Sequence, residues 1–225
     1  MKPISVAIDG PVSAGKSIIG SKVAARLSYL FIDTGLMYRA VAWKIQTNFA
    51  SKKKWSEMAA LSKFEWRNNP SSPTILLDGV DVSEKLFSPD ISLLSSQIAT
   101  NSEIRKSLVK CQHDIAKEGG VVMVGRDIGT VVLPDAPVKV FLTASVDARA
   151  SRRYQDLKER GINISLDQVK EEMIERDRID STRVDSPLKP AEDAVLIDST
   201  TLSIEAVVEK ILAYVQTAGL KVHGG

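Results

Sequence analysis

Cysteine is nearly missing from this chain: Cys111 is the only one in 225 residues, so no internal disulfide can form. That usage suits a reducing compartment. Histidine is almost as scarce, and His113 and His223 stand without a second ligand at metal-binding spacing. No apolar run is long enough to span a bilayer, and Met1 to Ser5 carries no extended apolar region of the kind a leader peptide needs. An excess of one charge is lacking too. Thirty Lys and Arg against 28 Asp and Glu leave a formal net charge of +2, so charge gives no reason to expect a nucleic-acid or membrane partner. Internal repeats and low-complexity tracts are absent, and nothing demands more than a monomer. The expectation is a soluble, cytoplasmic protein with one α/β domain, whose 44% apolar content suffices for a core.

What is present alternates. Short apolar runs at 4–8, 30–32, 121–124, 138–142 and 194–197 read as buried strands. Helical spacing lies between and after them, at 16–27, roughly 37–47, 102–117, 147–160 and 204–218. This rhythm predicts a parallel sheet covered on both faces. Two stretches break it. In the first, about 51–100, the loop signal at 68–73 precedes a strand at 74–77, the turn Asp78-Gly79 and a strand at 80–82. In the second, about 151–186, Gly161 ends one helix, and Ser165-Leu166-Asp167-Gln168 is a capping-box start for the next. Trp43, Trp55 and Trp66 read as packing residues, and Trp66 has no clear place.

Gly10-Pro11-Val12-Ser13-Ala14-Gly15-Lys16-Ser17 fits the phosphate-binding pattern G-x-x-x-x-G-K-[ST], between a strand and a helix as that pattern requires. Small residues let backbone N–H groups surround phosphate oxygens, and the helix N-terminus adds positive potential. Lys16 is expected at the β- and γ-phosphates and the Ser17 hydroxyl at Mg²⁺, with nucleotide contacts from Gly10 through Ile18. The motif implies ATP-type binding and leaves the acceptor open.

Asp33-Thr34-Gly35 follows the second strand, with Tyr38 and Arg39 on the first helical turn after it. A carboxylate, a hydroxyl and a guanidinium at a strand's carboxyl end could hold a phosphate acceptor, or Asp and Thr could be helix caps. Gly125-Arg126-Asp127 ends another buried strand. The Arg–Asp pair is either structural or places a guanidinium on a transferring phosphoryl group, and two such strand ends favour function. In the second insertion, Arg149, Arg152 and Arg153 lie on one predicted helix. Arg176, Asp180 and Arg183, spaced i, i+4, i+7, share a face of another. These read either as a solvated charged surface or as an arginine-bearing lid that excludes water.

Together, Ile8-Asp9-Gly10-Pro11 through Ser17, Ile32-Asp33-Thr34-Gly35-Leu36-Met37-Tyr38-Arg39, Gly125-Arg126-Asp127-Ile128-Gly129-Thr130 and Arg176-Asp177-Arg178-Ile179-Asp180-Ser181-Thr182-Arg183 resemble the bacterial-type cytidylate kinases over nearly the whole chain. The resemblance implies a P-loop nucleotide kinase fold within a single domain, 1–225. Its core would be about 1–40, 102–150 and 187–220, with an acceptor-binding insertion at 41–101 and a lid at 151–186. It implies ATP and Mg²⁺, with CMP or dCMP as the phosphoryl acceptor. Tyr38, Arg39 and Arg126 would serve the acceptor phosphate, and Thr34 would also be a substrate-binding residue. Ser96 and Arg105 would read the cytosine, with Arg183 and Asp127 nearby, while Arg176 and Asp180 would meet the ribose. Arg152 and Arg153 would close on the ATP phosphates, so that Lys16, Arg126, Asp127, Arg152 and Arg153 form the catalytic set. The chain departs from the resemblance at Val124, where the family usually carries an acid, so Asp127 or Asp33 is expected to order the metal's water shell. Phe87, Leu93, His113 and Ile18 are further departures. Another P-loop acceptor kinase and a nucleotide-binding regulator are the alternative readings, and no Asn-Lys-x-Asp guanine reader is present.

Overall fold

The computed structural model describes residues 3–67 and 74–223. The loop expected at 68–73 and the tail residues Gly224 and Gly225 lie outside them.

Five parallel strands form the central sheet in the order β2-β6-β1-β7-β8: β1 (Val6–Asp9), β2 (Leu30–Asp33), β6 (Val121–Gly125), β7 (Val138–Thr143) and β8 (Val195–Asp198). Their β-branched runs suit a sheet buried on both faces, where no polar alternation is needed. Ala7, Ile32 and Met123 point to one side, and Val6, Ile8, Phe31, Val122 and Val124 to the other. The second side packs under α1 (Lys16–Leu27) and α8 (Ile204–His223). The carboxyl ends of β1, β2 and β6 lie in register, Asp9 beside Gly125 and Asp33 beside Val124, so the loops that follow them open on one edge.

The helix after β2 begins earlier than its spacing suggests. α2 (Thr34–Thr47) starts directly from Asp33, whose Oδ1 accepts from the Gly35 N–H at 3.0 Å. Tyr38 and Arg39 therefore stand on its second turn, not its first.

The first insertion contains α3 (Trp55–Ala60), β3 (Phe64–Arg67), β4 (Thr74–Leu77), β5 (Val80–Asp81) and α4 (Pro89–Ile98). It is a three-stranded antiparallel sheet in place of the expected hairpin. Trp66 is on the added strand, opposite Ile75. The last strand stops at Asp81, before the expected Val82, because Asp81 Oδ1 accepts from the Ser83 N–H and turns the chain. Ile75, Leu77, Leu86, Ile91 and Ile98 join the same apolar cluster as Ala7 and Met123, so the insertion shares the sheet's core. α5 (Ser102–Ala116) returns the chain to the sheet.

The second insertion is built differently. α6 (Val146–Glu159) and α7 (Leu166–Thr182) form a helical hairpin around their own small cluster of Ala150, Leu157, Val169 and Met173. Gly161, at φ +73°, makes the left-handed turn between them, and Ser165 and Gln168 make the expected capping box. Val12 of the phosphate loop is the core residue that packs against this cluster.

Candidate active site

The open edge is a cleft of about 820 Å³ that collects nearly every side chain singled out from the sequence. On its floor, Gly15 at φ +96° opens α1 without a side-chain cap, leaving the helix N-terminus bare. Gly10 is required by close approach: a Cβ there would lie 2.0 Å from the Leu142 carbonyl oxygen. Val12 through Ile18 line the cleft, whereas Gly10 and Pro11 do not; their carbonyls accept from Lys16 Nζ at 2.8 and 2.6 Å. Burial, with the Arg126 charge adding to it, holds the Lys16 ammonium well below its ordinary pKa. The negative charge of a bound polyphosphate would oppose both effects.

Ser17 Oγ donates to Asp33 Oδ2 at 2.6 Å. The helix-cap reading of Asp33 holds: one carboxylate oxygen caps α2, and the other meets the phosphate loop. A hydroxyl beside a carboxylate is a donor set that could hold Mg²⁺ directly or through its water. Val124 is 1% exposed and packs beneath α1 against Gly20 and Phe31. Asp127 is engaged elsewhere. Among the described residues no cluster of three or more His, Cys, Asp or Glu could hold a metal by itself. Thr34 is buried, and its hydroxyl donates to the Val124 carbonyl at 2.9 Å, so its proton is spent on the sheet.

Arg126 and Asp127 do not pair with each other. Arg126 Nε donates to Asp180 Oδ2 at 2.8 Å, and Asp127 Oδ2 accepts from Arg105. Arg183 approaches both acids, at 3.7 Å from Asp127 and 3.8 Å from Asp180. Burial disfavours ionising Asp180, but Arg126, Arg176 and Arg183 together hold its carboxyl below the usual range. Arg105 also stacks 5.7 Å from the Tyr38 ring, whose hydroxyl burial pushes up to about 12. Arg105 Nε and Arg183 Nη2 are buried without a hydrogen-bond partner. Each unmade donor costs about 1–3 kcal/mol, which a ligand acceptor would recover.

The remaining cations are crowded. Arg39 donates to the Leu86 carbonyl at 2.9 Å and to Ser92 Oγ at 2.8 Å. Burial, then Arg153, lowers its pKa to about 10; burial and Arg126 do the same to Arg176. Both guanidiniums stay charged at neutral pH, and the shifts mark a cleft short of negative charge. Arg153 lines the wall, its pKa also lowered by burial. Arg152 is held by Ser199, through the hydroxyl at 3.1 Å and the carbonyl at 2.6 Å. Ser96 lines the acceptor side, its hydroxyl donating to the Ser92 carbonyl at 3.1 Å.

Several contacts around the cleft are not evident from sequence. Asp177 accepts from the Val12 N–H at 3.2 Å and from Arg149, which itself donates to the Val12 carbonyl, tying α7 and α6 to the phosphate loop. Arg160 lies 4.4 Å from the Phe87 ring, with Arg39 at 5.8 Å from the same ring, so one departure from the family pattern links the two insertions. The sequence signal for Asp177 was its place beside Arg176; Arg160 had none. Leu93 is exposed, and His113 reaches the Val131 carbonyl at 3.4 Å, away from the cleft.

The cytidylate kinase family model matches residues 6–217. The cytidylate kinase of Caldicellulosiruptor saccharolyticus is 46% identical over 215 residues, covering 94% of this chain and 95% of that protein. That of Bacillus cereus strain G9842 is 45% identical over 217 residues, covering 95% and 96%. Among solved structures, a shikimate kinase from Acinetobacter baumannii superposes with a TM-score of 0.51 at 14% identity, covering 96% of this chain and 94% of that one, a likeness of fold alone. No described helix is long and apolar enough to cross a membrane. With its phosphate loop, its five-stranded parallel sheet and relatives matched end to end, the chain belongs to the cytidylate kinase family.

Proposed function

We propose that the protein transfers the γ-phosphoryl group of ATP to CMP or dCMP. An oxygen of the acceptor's phosphate attacks the γ-phosphorus, the bond to the β–γ bridging oxygen breaks, and ADP leaves with that electron pair. What supports the reading most is that a phosphate cradle and the buried Arg105–Asp127–Arg183 group share one cleft. The first suits a triphosphate; the second offers unmade donors to a base edge with acceptors, such as O2 and N3 of cytosine.

The chain's own work is positioning and charge balance, since phosphoryl transfer asks for little covalent help. Lys16 and the bare N-terminus of α1 hold the donor phosphates. Arg152 and Arg153 bring positive charge from α6. Tyr38, Arg39 and Arg126 receive the acceptor phosphate; Ser96 and Arg105 read the base; Arg176 and Asp180 face the ribose. Asp127 orients the acceptor by fixing Arg105. Ser17, with Asp33 behind it, would hold Mg²⁺, which would neutralise charge on the transferring group. The acceptor-binding part is 41–101 and the lid 151–186.

The test is transfer of label. With γ-labelled ATP, Mg²⁺ and CMP, the labelled product is expected to be CDP, and with dCMP, dCDP. Label released only as inorganic phosphate, or retained in ATP, would contradict the proposal.

A further inference from the structure

Asp9 is buried at the end of the central strand, beside Gly125 in register, and no step above uses it. Its two oxygens are both spent. Oδ1 accepts from the Ile128 N–H at 2.8 Å and Oδ2 from the Gly129 N–H at 2.7 Å. These two residues open a single turn of π-helix, Ile128–Val132, whose N-cap residue is Asp127. An N-cap aspartate ordinarily satisfies the first free N–H groups with its own side chain. Asp127 makes no such bond. Asp9, arriving from another strand, does that work, and the Asp127 carboxylate is left to pair with Arg105 and approach Arg183.

The clamp spans the segment that matters. Arg126 and Asp127 stand between β6, which is fixed in the sheet, and the two N–H groups fixed by Asp9. Gly125 is packed tightly at its start, since a Cβ there would meet Thr34 Oγ1 and Ile128 Cδ1 at 2.6 Å. Two charge-assisted bonds from one carboxylate set both position and direction of the chain. Keeping an ionised acid here is costly: burial, and the nearby Asp127 charge, oppose the gain from the two N–H groups.

We propose that Asp9 is a positioning residue for the acceptor half of the reaction, clamping residues 125–129 so that Arg126 and Asp127 face the cytidylate. This rests on the acceptor reading of those two residues. Asp9 also precedes Gly10, so the competing possibility is that it merely supports the phosphate loop, and the two make different predictions for ATP.

Asp9→Asn is the same size but offers one acceptor, and it turns an N–H₂ donor toward an N–H donor. Asp9→Ser is the second variant. Thermal melting first establishes that each is folded, and calorimetry then measures binding of CMP and of a non-hydrolysable ATP analogue separately. The KM for CMP is expected to rise and kcat to fall, together lowering kcat/KM about 100-fold, as misplacement of about an ångström does. The KM for ATP and the affinity for its analogue are expected to stay within about twofold. Equal losses of ATP and CMP affinity would assign Asp9 to the phosphate loop and overturn the proposal. Unchanged kinetics, or failure of both variants to fold, would overturn it too. If the wild-type protein itself does not phosphorylate CMP, the acceptor reading fails before any variant is compared.

Discussion

Replacing Arg105 with Met separates what its buried ion pair does for the fold from what it does for the substrate. The Arg105 and Asp127 side chains are only 5% and 10% exposed. Removing one partner of such a pair leaves the other charge buried and costs about 3–5 kcal/mol. The low end applies here, because Arg183 remains 3.7 Å from Asp127 and shares its charge. For a domain of this size each kcal/mol moves the melting temperature by about 2–4 °C, so Arg105→Met is expected to melt about 6–12 °C lower. Neutralising the stranded acid should recover most of that. The double variant Arg105→Met/Asp127→Asn is therefore expected to melt within a few degrees of wild type, about 3 °C or less. Activity should not follow. With the base-facing donor gone, kcat/KM for CMP should be lower by about 100-fold or more in the single and double variants alike. Thermal melting and steady-state ADP release measure the two quantities. A double variant that melts no higher than the single, or one that regains CMP turnover, would refute the reasoning.

The other expectations are shorter. Gly10→Ala puts a methyl group 2.0 Å from a backbone carbonyl oxygen that cannot rotate away; stability, read from thermal melting, should fall by more than the ~1–3 kcal/mol of ordinary overpacking, and calorimetry should detect no ATP-analogue binding. Asp33→Asn keeps an α2 cap but removes the charge that accepts from Ser17, so half-maximal rate should require about 10- to 100-fold more Mg²⁺, read from a metal titration. Burial, opposed by the Ile128 and Gly129 N–H groups, raises the Asp9 carboxyl to about 6 from 3.8. The folded state therefore holds that proton more tightly than the unfolded chain. The stabilisation this group provides is full below the unfolded value and is lost as pH rises through about 6, a span of order 3 kcal/mol. The melting difference between wild type and Asp9→Asn, followed from below pH 3.8 to above neutrality, should change in wild type's disfavour between pH 3.8 and about 6 and level off above; a flat difference would refute this.

The legible parts of the chain were those written locally. β1 and β6 are apolar and buried throughout, so no polar residue interrupts them before Asp9 at the end of β1. The phosphate loop is a contiguous motif. β3 is hard to read because Phe-Glu-Trp-Arg alternates half-buried and exposed over only four residues, and the loop signal at 68–73 adjoins it. The early start of α2 was obscured by Thr34 and Gly35, which read as a loop although Asp33 caps the helix. In the cleft, residue types and strand-end positions were readable, but partners were not. Arg126 and Asp127 look paired in sequence, yet their partners come from 54 and 22 residues away, on α7 and α5. The role of Asp9 depends on two strands that lie side by side yet are more than a hundred residues apart, and no local spacing reports that.

The most direct test of the account is the ratio of kcat/KM for CMP to those for UMP and AMP, measured with ATP and Mg²⁺ on the intact protein. A base site built from buried arginine donors should prefer CMP by about 100-fold or more, because the wrong base edge leaves those donors unpaired. Ratios near one, or a preference for AMP, would contradict the claim that this cleft is built for cytidylate.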